Sequence, residues 1–244
     1  MNSDLVGKRV LITGGTKGIG RATAVDLAQA GARVVVCHRN DDFSAARLVE
    51  ELAGSGDQHA VIRADVTDES QLQTLADQVR RGLGGLDAVV NNAGVDGHMR
   101  LEDLDVEEWY RVLNVNVTAY YLVVRAVLPL LADPSSVVNI GASVALRGRQ
   151  NGSHYTASKA AVHGLTRSMA KEFGPRGVRV NLVAPGVIDK GEDDLPPQVA
   201  KTIVSMTALG RLGDCSDVAN AVAFLISDKS RYISGCTLHV DGGM

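Results

Sequence analysis

A glycine-rich stretch near the N-terminus organises this sequence: Thr13-Gly14-Gly15-Thr16-Lys17-Gly18-Ile19-Gly20. The β-branched, apolar run Lys8–Thr13 leads into it and predicts a buried strand. Arg21–Ala28 follows with helical periodicity. Strand, glycine turn and helix in this order predict a phosphate-binding turn, in which the free N–H groups at the helix start face the ligand.

Three of these glycines have separate tasks in such a turn. Gly14 allows the tight bend, Gly18 lets the backbone approach a pyrophosphate, and Gly20 lets the helix pack on the strand. A glycine turn with only a structural role is the alternative. It is disfavoured because a strand and a helix flank the turn in the required order.

Short apolar runs then alternate with helical patterns. The predicted strands are Ala32–Arg39, His59–Arg63, Leu86–Val90, Val137–Gly141 and Val178–Ala184. The predicted helices include Phe43–Ala53, a helix from Asp68 to about Arg81, and the long segment Val106–Leu131. This alternation predicts an α/β fold, a parallel sheet with helices on both faces. The sequence has no repeat, low-complexity tract or linker, so we expect one domain over residues 1–244.

Composition excludes several classes of protein. A formal net charge of −3 over 244 residues gives no electrostatic case for binding nucleic acid or an anionic membrane. The N-terminus lacks a signal-peptide pattern, and no segment has the roughly 18 uninterrupted apolar residues of a membrane span. The three cysteines and six histidines show no disulfide or metal-ligand spacing, so we expect no metal and a cytoplasmic protein.

The end of the second strand predicts the cofactor. NAD-binding chains usually place a carboxylate there, for the adenosine ribose. This chain has His38 and Arg39 at that point and Lys17 inside the glycine turn, which favours a 2′-phosphate and therefore NADPH. The alternative is that Lys17 and Arg39 are solvated surface charges. Asp41 and Asp42 come later and are interpreted as the N-cap of the next helix.

Tyr155 and Lys159 stand four residues apart at the start of a predicted helix, and so share one face. A tyrosine has an ordinary pKa of about 10, and a nearby ammonium favours its phenolate form. The pair can therefore transfer a proton to a reacting oxygen. By itself, this spacing is more often ordinary helix surface.

Taken in order, the motifs resemble those of the short-chain dehydrogenase/reductase family, from about Leu5 to Met244. They are the glycine turn, Asp65-Val66, Asn91-Asn92-Ala93-Gly94, Asn116, Tyr155-x-x-x-Lys159 and Pro185-Gly186. The tail from Gly210 is similar to that of 3-oxoacyl-carrier-protein reductases. The resemblance implies a single-domain, doubly wound Rossmann-type sheet with one extra C-terminal strand, and usually a homotetramer.

The resemblance also implies the site residues. Hydride passes from the nicotinamide to a carbonyl carbon, and Tyr155 donates a proton to the oxygen. Lys159 holds the nicotinamide ribose and, with the oxidised ring, lowers the pKa of Tyr155. Asn116 kinks its helix and holds a relay water, whereas Asn114 is structural. The expected cofactor contacts are Gly14, Thr16, Lys17, Gly18, Ile19, Gly20, Arg39, Asp65 (toward the adenine amino group), Val66, Asn92, Ala93, Gly94, Tyr155, Lys159, Pro185, Gly186 and Ile188.

Two positions depart from the family pattern. Ala142 occupies the place of the catalytic serine, thirteen residues before the tyrosine, and Ser143 comes one residue late. We expect Ser143 to act as a replacement; otherwise this contact is missing or comes from elsewhere. Lys190 stands where the family commonly has a threonine near the carboxamide.

The substrate side is predicted less specifically. We expect a substrate loop at about residues 187–205, whose charged part from Asp189 to Ala200 is a lid. Val95, Asp96 and His98 are expected in the cleft, and His154 at its rim.

The sequence therefore predicts an NADPH-dependent reductase that converts a ketone to a secondary alcohol. Its substrate would be a small-molecule carbonyl compound, possibly carrier-bound: a 3-oxoacyl thioester or a secondary-metabolite (polyketide-type) carbonyl. Two alternatives stay open: an NAD-dependent secondary-alcohol dehydrogenase, and a catalytically impaired cofactor-binding protein of the same fold.

Overall fold

A computed structural model describes residues 3–56, 58–189, 191 and 196–244. Its strands are β1 Arg9–Thr13, β2 Arg33–His38, β3 Ala60–Arg63, β4 Leu86–Asn91, β5 Leu131–Ile140, β6 Val178–Pro185, β7 Ile188–Asp189, β8 Gly213–Asp214 and β9 Thr237–Val240. Its helices are α1 Gly18–Gln29, α2 Asp42–Ala53, α3 Glu69–Leu83, α4 Val106–Leu113, α5 Ala119–Val127, α6 Val144–Arg147, α7 Ser153–Phe173, α8 Pro197–Met206 and α9 Cys215–Ile226.

Seven strands form one parallel sheet in the order β3-β2-β1-β4-β5-β6-β9. The inner strands are runs of buried Val, Leu and Ile, as expected of a parallel sheet covered on both faces. One apolar core lies on each face, and between them they include side chains of α1, α3, α5 and α9. The predicted α/β fold is confirmed, including the extra C-terminal strand β9, which pairs with β6.

The order of the strands reverses between β1 and β4, since β1 pairs with β2 on one side and β4 on the other. In open parallel sheets, ligands bind in the crevice beyond the carboxyl ends of the strands at such a point. The glycine turn follows β1 and Asn92 follows β4, so both motifs lie at this crevice.

The long central helix is not one regular element. A π-helical segment, Asn114–Thr118, separates α4 from α5, and a short 3-10 turn, Leu128–Leu130, ends the helix. The predicted helical residue Leu131 instead begins β5. By length and composition, Val106–Leu130 is apolar enough to cross a membrane, but its buried face packs on the sheet and Val123 and Val124 are core residues. It is a core helix.

The expected substrate loop contains more regular structure than its charged sequence indicated. The helix α8 occupies Pro197–Met206, and the two-residue strands β7 and β8 pair in parallel. Lys190, the second departure from the family pattern, and residues 192–195 of the expected lid lie outside the described residues.

Candidate active site

The glycine turn is joined to the end of β4 by a set of hydrogen bonds. The backbone N–H groups of Asn92 and Ala93 donate to Thr13 Oγ1 at 3.0 and 3.1 Å. The Asn92 amide donates in return to the carbonyl oxygens of Thr13 (3.0 Å) and Gly14 (2.8 Å). Two motifs nearly eighty residues apart are therefore one unit, because their strands are neighbours in the sheet.

The glycines of this unit have no room for side chains. A Cβ on Gly14, whose φ is +62°, would lie 2.8 Å from Ala93 Cα. A Cβ on Gly20 would lie 2.4 Å from the Asn92 amide nitrogen. Gly18 also adopts a positive φ, of +51°, which an L-residue with a Cβ rarely adopts. At these glycines the turn is therefore backbone alone, with no space for a side chain at Gly14 or Gly20.

The start of α1 differs from that of the next three helices. Asp41, Asp68 and Asp105 cap α2, α3 and α4 by accepting hydrogen bonds from backbone N–H groups. At α1 the N-cap residue is Lys17, and within the described residues no side-chain cap is made. Helix N–H groups without a protein acceptor are suited to a phosphate, so this end of α1 fits a dinucleotide's pyrophosphate.

The predicted cation site next to this turn also contains a carboxylate, Asp41, which the sequence analysis interpreted only as the N-cap of the next helix. Lys17 Nζ lies 2.8 Å from Asp41 Oδ2. Asp41 is the N-cap of α2, as expected, and accepts from the Ser44 N–H at 3.1 Å. Hydrogen bonds from Lys17 and Ser44 lower the pKa of Asp41 to about 2. The expectation that no carboxylate lies at this spot is wrong, because the start of α2 brings Asp41 back to the glycine turn.

The other residues predicted to contact the adenosine differ in exposure and in hydrogen bonding. Arg39 is exposed, and its carbonyl oxygen accepts from Arg63 Nε at 3.0 Å. Asp65 accepts from both the backbone N–H and the hydroxyl of Thr67, at 2.9 and 2.7 Å. Val66 is buried in the core. The contact of Asp65 with an adenine stays a prediction.

Tyr155 and Lys159 lie on the first turns of α7, at the carboxyl end of β5. Lys159 is buried, and its Nζ donates to the Ile140 carbonyl oxygen at 3.0 Å. The same Nζ lies 6.0 Å from the centroid of the half-buried Tyr155 ring. A Cβ on Gly94 would lie 3.2 Å from Asn116 Oδ1 and 3.5 Å from Lys159 Nζ. The end of β4, Asn116 and the Tyr–Lys pair therefore surround one cleft.

Burial dominates the titration of the tyrosine in the protein alone. The pKa of Tyr155 is raised to about 12, mainly by burial; the charge of Asp96 adds to this rise and that of Arg149 opposes it. Lowering of this pKa by Lys159 together with an oxidised nicotinamide ring is a prediction about the complex.

Asn116 connects three parts of the site. Its amide nitrogen donates to the Val95 carbonyl oxygen and to Ser158 Oγ, both at 3.0 Å, and its Oδ1 accepts from the Val95 N–H at 2.8 Å. Ser158 Oγ then donates to the Tyr155 carbonyl oxygen at 2.7 Å. Asn116 lies in the π-helical segment, a distortion frequent at functional sites, whereas Asn114 is exposed.

Ser143 and Ala142 are both buried just beyond β5. The Ser143 N–H donates to the Pro185 carbonyl oxygen at 2.8 Å, which ties this turn to the Pro185-Gly186 loop. Arg147 Nη2 donates to Ser143 Oγ at 2.8 Å. Because the hydroxyl oxygen accepts from a cation, its own proton stays available for a further acceptor.

His154 is not at the rim of the cleft, so that expectation is wrong. The side chain is fully buried where α7 packs on α4, with Nε2 3.7 Å from Glu108 Oε1. Because His154 directly precedes Tyr155 in the sequence, the two side chains lie on different faces of the helix. The sequence interpretation also missed Arg147, Arg149 and Ser158, whose partners are defined only by the fold. The one signal in the sequence was the pair of arginines flanking Gly148.

Comparison with known proteins assigns the family. A family model described as enoyl-(acyl carrier protein) reductase matches residues 14–244. The chain is 35% identical to 3-oxoacyl-[acyl-carrier-protein] reductase FabG of Staphylococcus aureus, over 97% of this chain and 98% of that protein. It is 38% identical to FabG of Haemophilus influenzae, over 98% of each. The chain is a short-chain dehydrogenase/reductase.

Solved members of this oxidoreductase family have the same fold. A short-chain dehydrogenase/reductase from Serratia marcescens superposes with a TM-score of 0.94 at 33% identity, over 98% of both chains. A short-chain dehydrogenase from Burkholderia cenocepacia, solved in complex with NADP, gives 0.93 at 37% identity, again over 98% of both.

Proposed function

We propose that this protein is an NADPH-dependent ketoreductase that reduces a ketone to a secondary alcohol, with Tyr155 as the proton donor. The observation that carries the proposal is the convergence of the glycine turn, Asn116, Tyr155 and Lys159 at one cleft beyond the sheet. Relatives named 3-oxoacyl-[acyl-carrier-protein] reductase, and structures solved with NADP and NADPH, support the same reaction class.

The residues at the crevice fit the cofactor. The uncapped start of α1 and the backbone of the glycine turn would hold the pyrophosphate. Arg39 and Lys17 would hold the 2′-phosphate. Pro185, Gly186 and Ile188 would line the nicotinamide side. When bound, NADPH supplies the hydride that reduces the carbonyl carbon.

The chain's own residues handle the oxygen and its proton. Tyr155 donates its hydroxyl proton to the developing alkoxide, and Lys159 helps the tyrosine do so by favouring the phenolate that remains. Ser143 donates a hydrogen bond to the same oxygen while Arg147 fixes its hydroxyl as an acceptor. Losing one such donor typically costs about 3 kcal/mol of transition-state stabilisation.

Two alternatives each have one supporting observation. An NAD-dependent secondary-alcohol dehydrogenase is favoured by Asp41, whose carboxylate engages Lys17 and would repel a 2′-phosphate. A catalytically impaired cofactor-binding protein is favoured by Ala142. A 3-oxoacyl thioester, free or carrier-bound, is the first substrate to test because the curated relatives carry that name. We also propose that the protein is cytoplasmic and forms a homodimer or a homotetramer.

The deciding experiment is a panel of ketones and acyl thioesters with NADPH and NADH, followed by cofactor absorbance. We expect NADPH oxidation with at least one 3-oxo substrate. A protein that binds NADPH but turns over no ketone of the panel would favour the impaired alternative. Faster turnover with NADH would favour the dehydrogenase.

A further inference from the structure

Two loops meet above the catalytic tyrosine. One follows β4 and carries Asp96 and Gly97; the other precedes α7 and carries Arg149. Arg149 Nη2 donates to Asp96 Oδ1 at 2.6 Å and to the Gly97 carbonyl oxygen at 2.5 Å. The carbon at the centre of the Arg149 guanidinium lies 4.7 Å from the centroid of the Tyr155 ring. This is the separation of a cation–π contact.

The backbone around the contact fixes where the arginine points. The Met99 N–H donates to the Asn151 carbonyl oxygen at 2.7 Å, a second link between the same two loops. Among the described residues, Asn151 is the one non-glycine residue with a positive φ, +56°. Such a conformation is uncommon outside asparagine and aspartate, and here it reverses the chain just before α7. These contacts between the two loops therefore hold the Arg149 guanidinium in one position over the Tyr155 ring.

Among the described residues, other charged and titratable groups lie close to Tyr155 or Asp96. Lys159 Nζ is 6.0 Å from its ring and donates to Ile140, and the same Nζ lies 5.6 Å from the buried Tyr120 ring. His154 Nε2 lies 3.7 Å from Glu108 Oε1 and close to Gly97, and Arg111 Nη2 donates to the Asp96 carbonyl oxygen at 3.4 Å. Asp96 and Arg149 are the carboxylate and the guanidinium whose charges act on Tyr155.

We propose that Arg149 is a positioning residue for proton transfer, which lays its cation on the Tyr155 ring while Asp96 holds and opposes that cation. The proposal rests on the proposed role of Tyr155 as proton donor. The two side chains have opposite effects: the cation stabilises the phenolate, and the carboxylate destabilises it. Asp96 raises the pKa of Tyr155 and Arg149 lowers it.

The opposite effects of Asp96 and Arg149 on the phenolate distinguish this proposal from a purely structural role for their ion pair. Asp96→Asn and Arg149→Met both remove the same ion pair, so a purely structural clamp would respond to both in the same way. The test is a pH titration of the phenolate absorbance of each NADP⁺-bound protein. The spectrum of the same protein with Tyr155→Phe added is subtracted, so that only Tyr155 contributes. We expect the midpoint to fall by roughly one pH unit in Asp96→Asn and to rise by roughly one in Arg149→Met.

A second readout follows from alcohol oxidation, which needs the phenolate as base. Its rate should rise with pH through the pKa of Tyr155. The rising limb should therefore move to lower pH in Asp96→Asn and to higher pH in Arg149→Met. Arg149→Lys keeps a cation and should lie between Arg149→Met and the wild type.

Shifts in the same direction, or no shift in either variant, would overturn the proposal. If Arg149→Met does not fold, Asp96→Asn still decides, because its midpoint must fall. Failure of the proposed function is recognised separately: Tyr155→Phe would then keep its ketone reduction. In that case the spectral midpoints still show whether Arg149 and Asp96 act on the ring.

Discussion

The two halves of the active-site cleft are built in different ways. On the cofactor side, β1, the glycine turn and the end of β4 present backbone, held by Thr13 and Asn92. On the substrate side, the turns after β5 present side chains that depend on one another, Ser143 on Arg147 and Arg149 on Asp96. The first half is set by local conformation and the second by contacts across loops. Substitutions should therefore act differently on the two halves.

The largest effect is expected at Tyr155, the proposed proton donor. Tyr155→Phe removes the proton donor and should lower kcat by roughly 10²–10⁴-fold. The dissociation constant for NADPH should change little, because the ring stays in place. Turnover and NADPH binding, by fluorescence titration, are measured on the same preparation. A variant that keeps a tenth of the wild-type rate would contradict the assignment.

The next largest effect tests the substrate side. Ser143→Ala should lower kcat by roughly 10²-fold, because one hydrogen-bond donor to the substrate oxygen is lost. Arg147→Met should lower kcat in the wild type and have almost no further effect in Ser143→Ala, since the two residues act as a unit. Ala142→Ser, the matched control, should leave kcat within a few-fold.

A silent Ser143→Ala, combined with a faster Ala142→Ser, would instead mean that the usual serine position is the functional one. That result would favour the catalytically impaired alternative. The double-mutant comparison uses kcat with a single 3-oxo substrate at saturating NADPH.

The third prediction tests the cofactor side through two glycines. Gly20→Ala places a Cβ 2.4 Å from the Asn92 amide nitrogen and should destabilise the fold by about 1–3 kcal/mol, with weaker NADPH binding. Gly164→Ala, in the exposed part of α7, meets nothing within 4 Å. It should stabilise the fold by about 0.5–1 kcal/mol, as glycine-to-alanine changes do in helices. Urea unfolding of both variants measures the difference, and equal effects would contradict this view of the turn.

The smallest effect concerns the choice of cofactor. Asp41→Asn removes the negative charge beside Lys17, which would repel a 2′-phosphate, so the KM for NADPH should fall a few-fold while that for NADH stays unchanged. Asparagine is as good an N-cap as aspartate, so the stability of α2 should be kept. Arg39→Gln should raise the KM for NADPH about tenfold, with little effect on NADH. Equal changes for both cofactors would refute the 2′-phosphate site.

The fold followed from the sequence because its signals are local. Alternating apolar runs and helical patterns predicted the parallel sheet, and the glycine spacing predicted the turn that precedes α1. The end of the long helix at Leu131 was misplaced, since nothing local distinguishes the last apolar turn from the first residue of β5. The family resemblance favoured Asn116 over Asn114 as the site residue. In the structure, Asn116 is the buried residue of the π-helical segment.

The sequence by itself determined the sheet, the glycine turn and the Tyr155–Lys159 pair, because each depends on residues within a few positions of one another. Only the tertiary structure decided that His154 is buried, that Asp41 engages Lys17, and that Arg149 covers the Tyr155 ring. These contacts join elements that are distant along the chain. They arise when the helices and loops pack against the sheet, and no periodicity within one element records them.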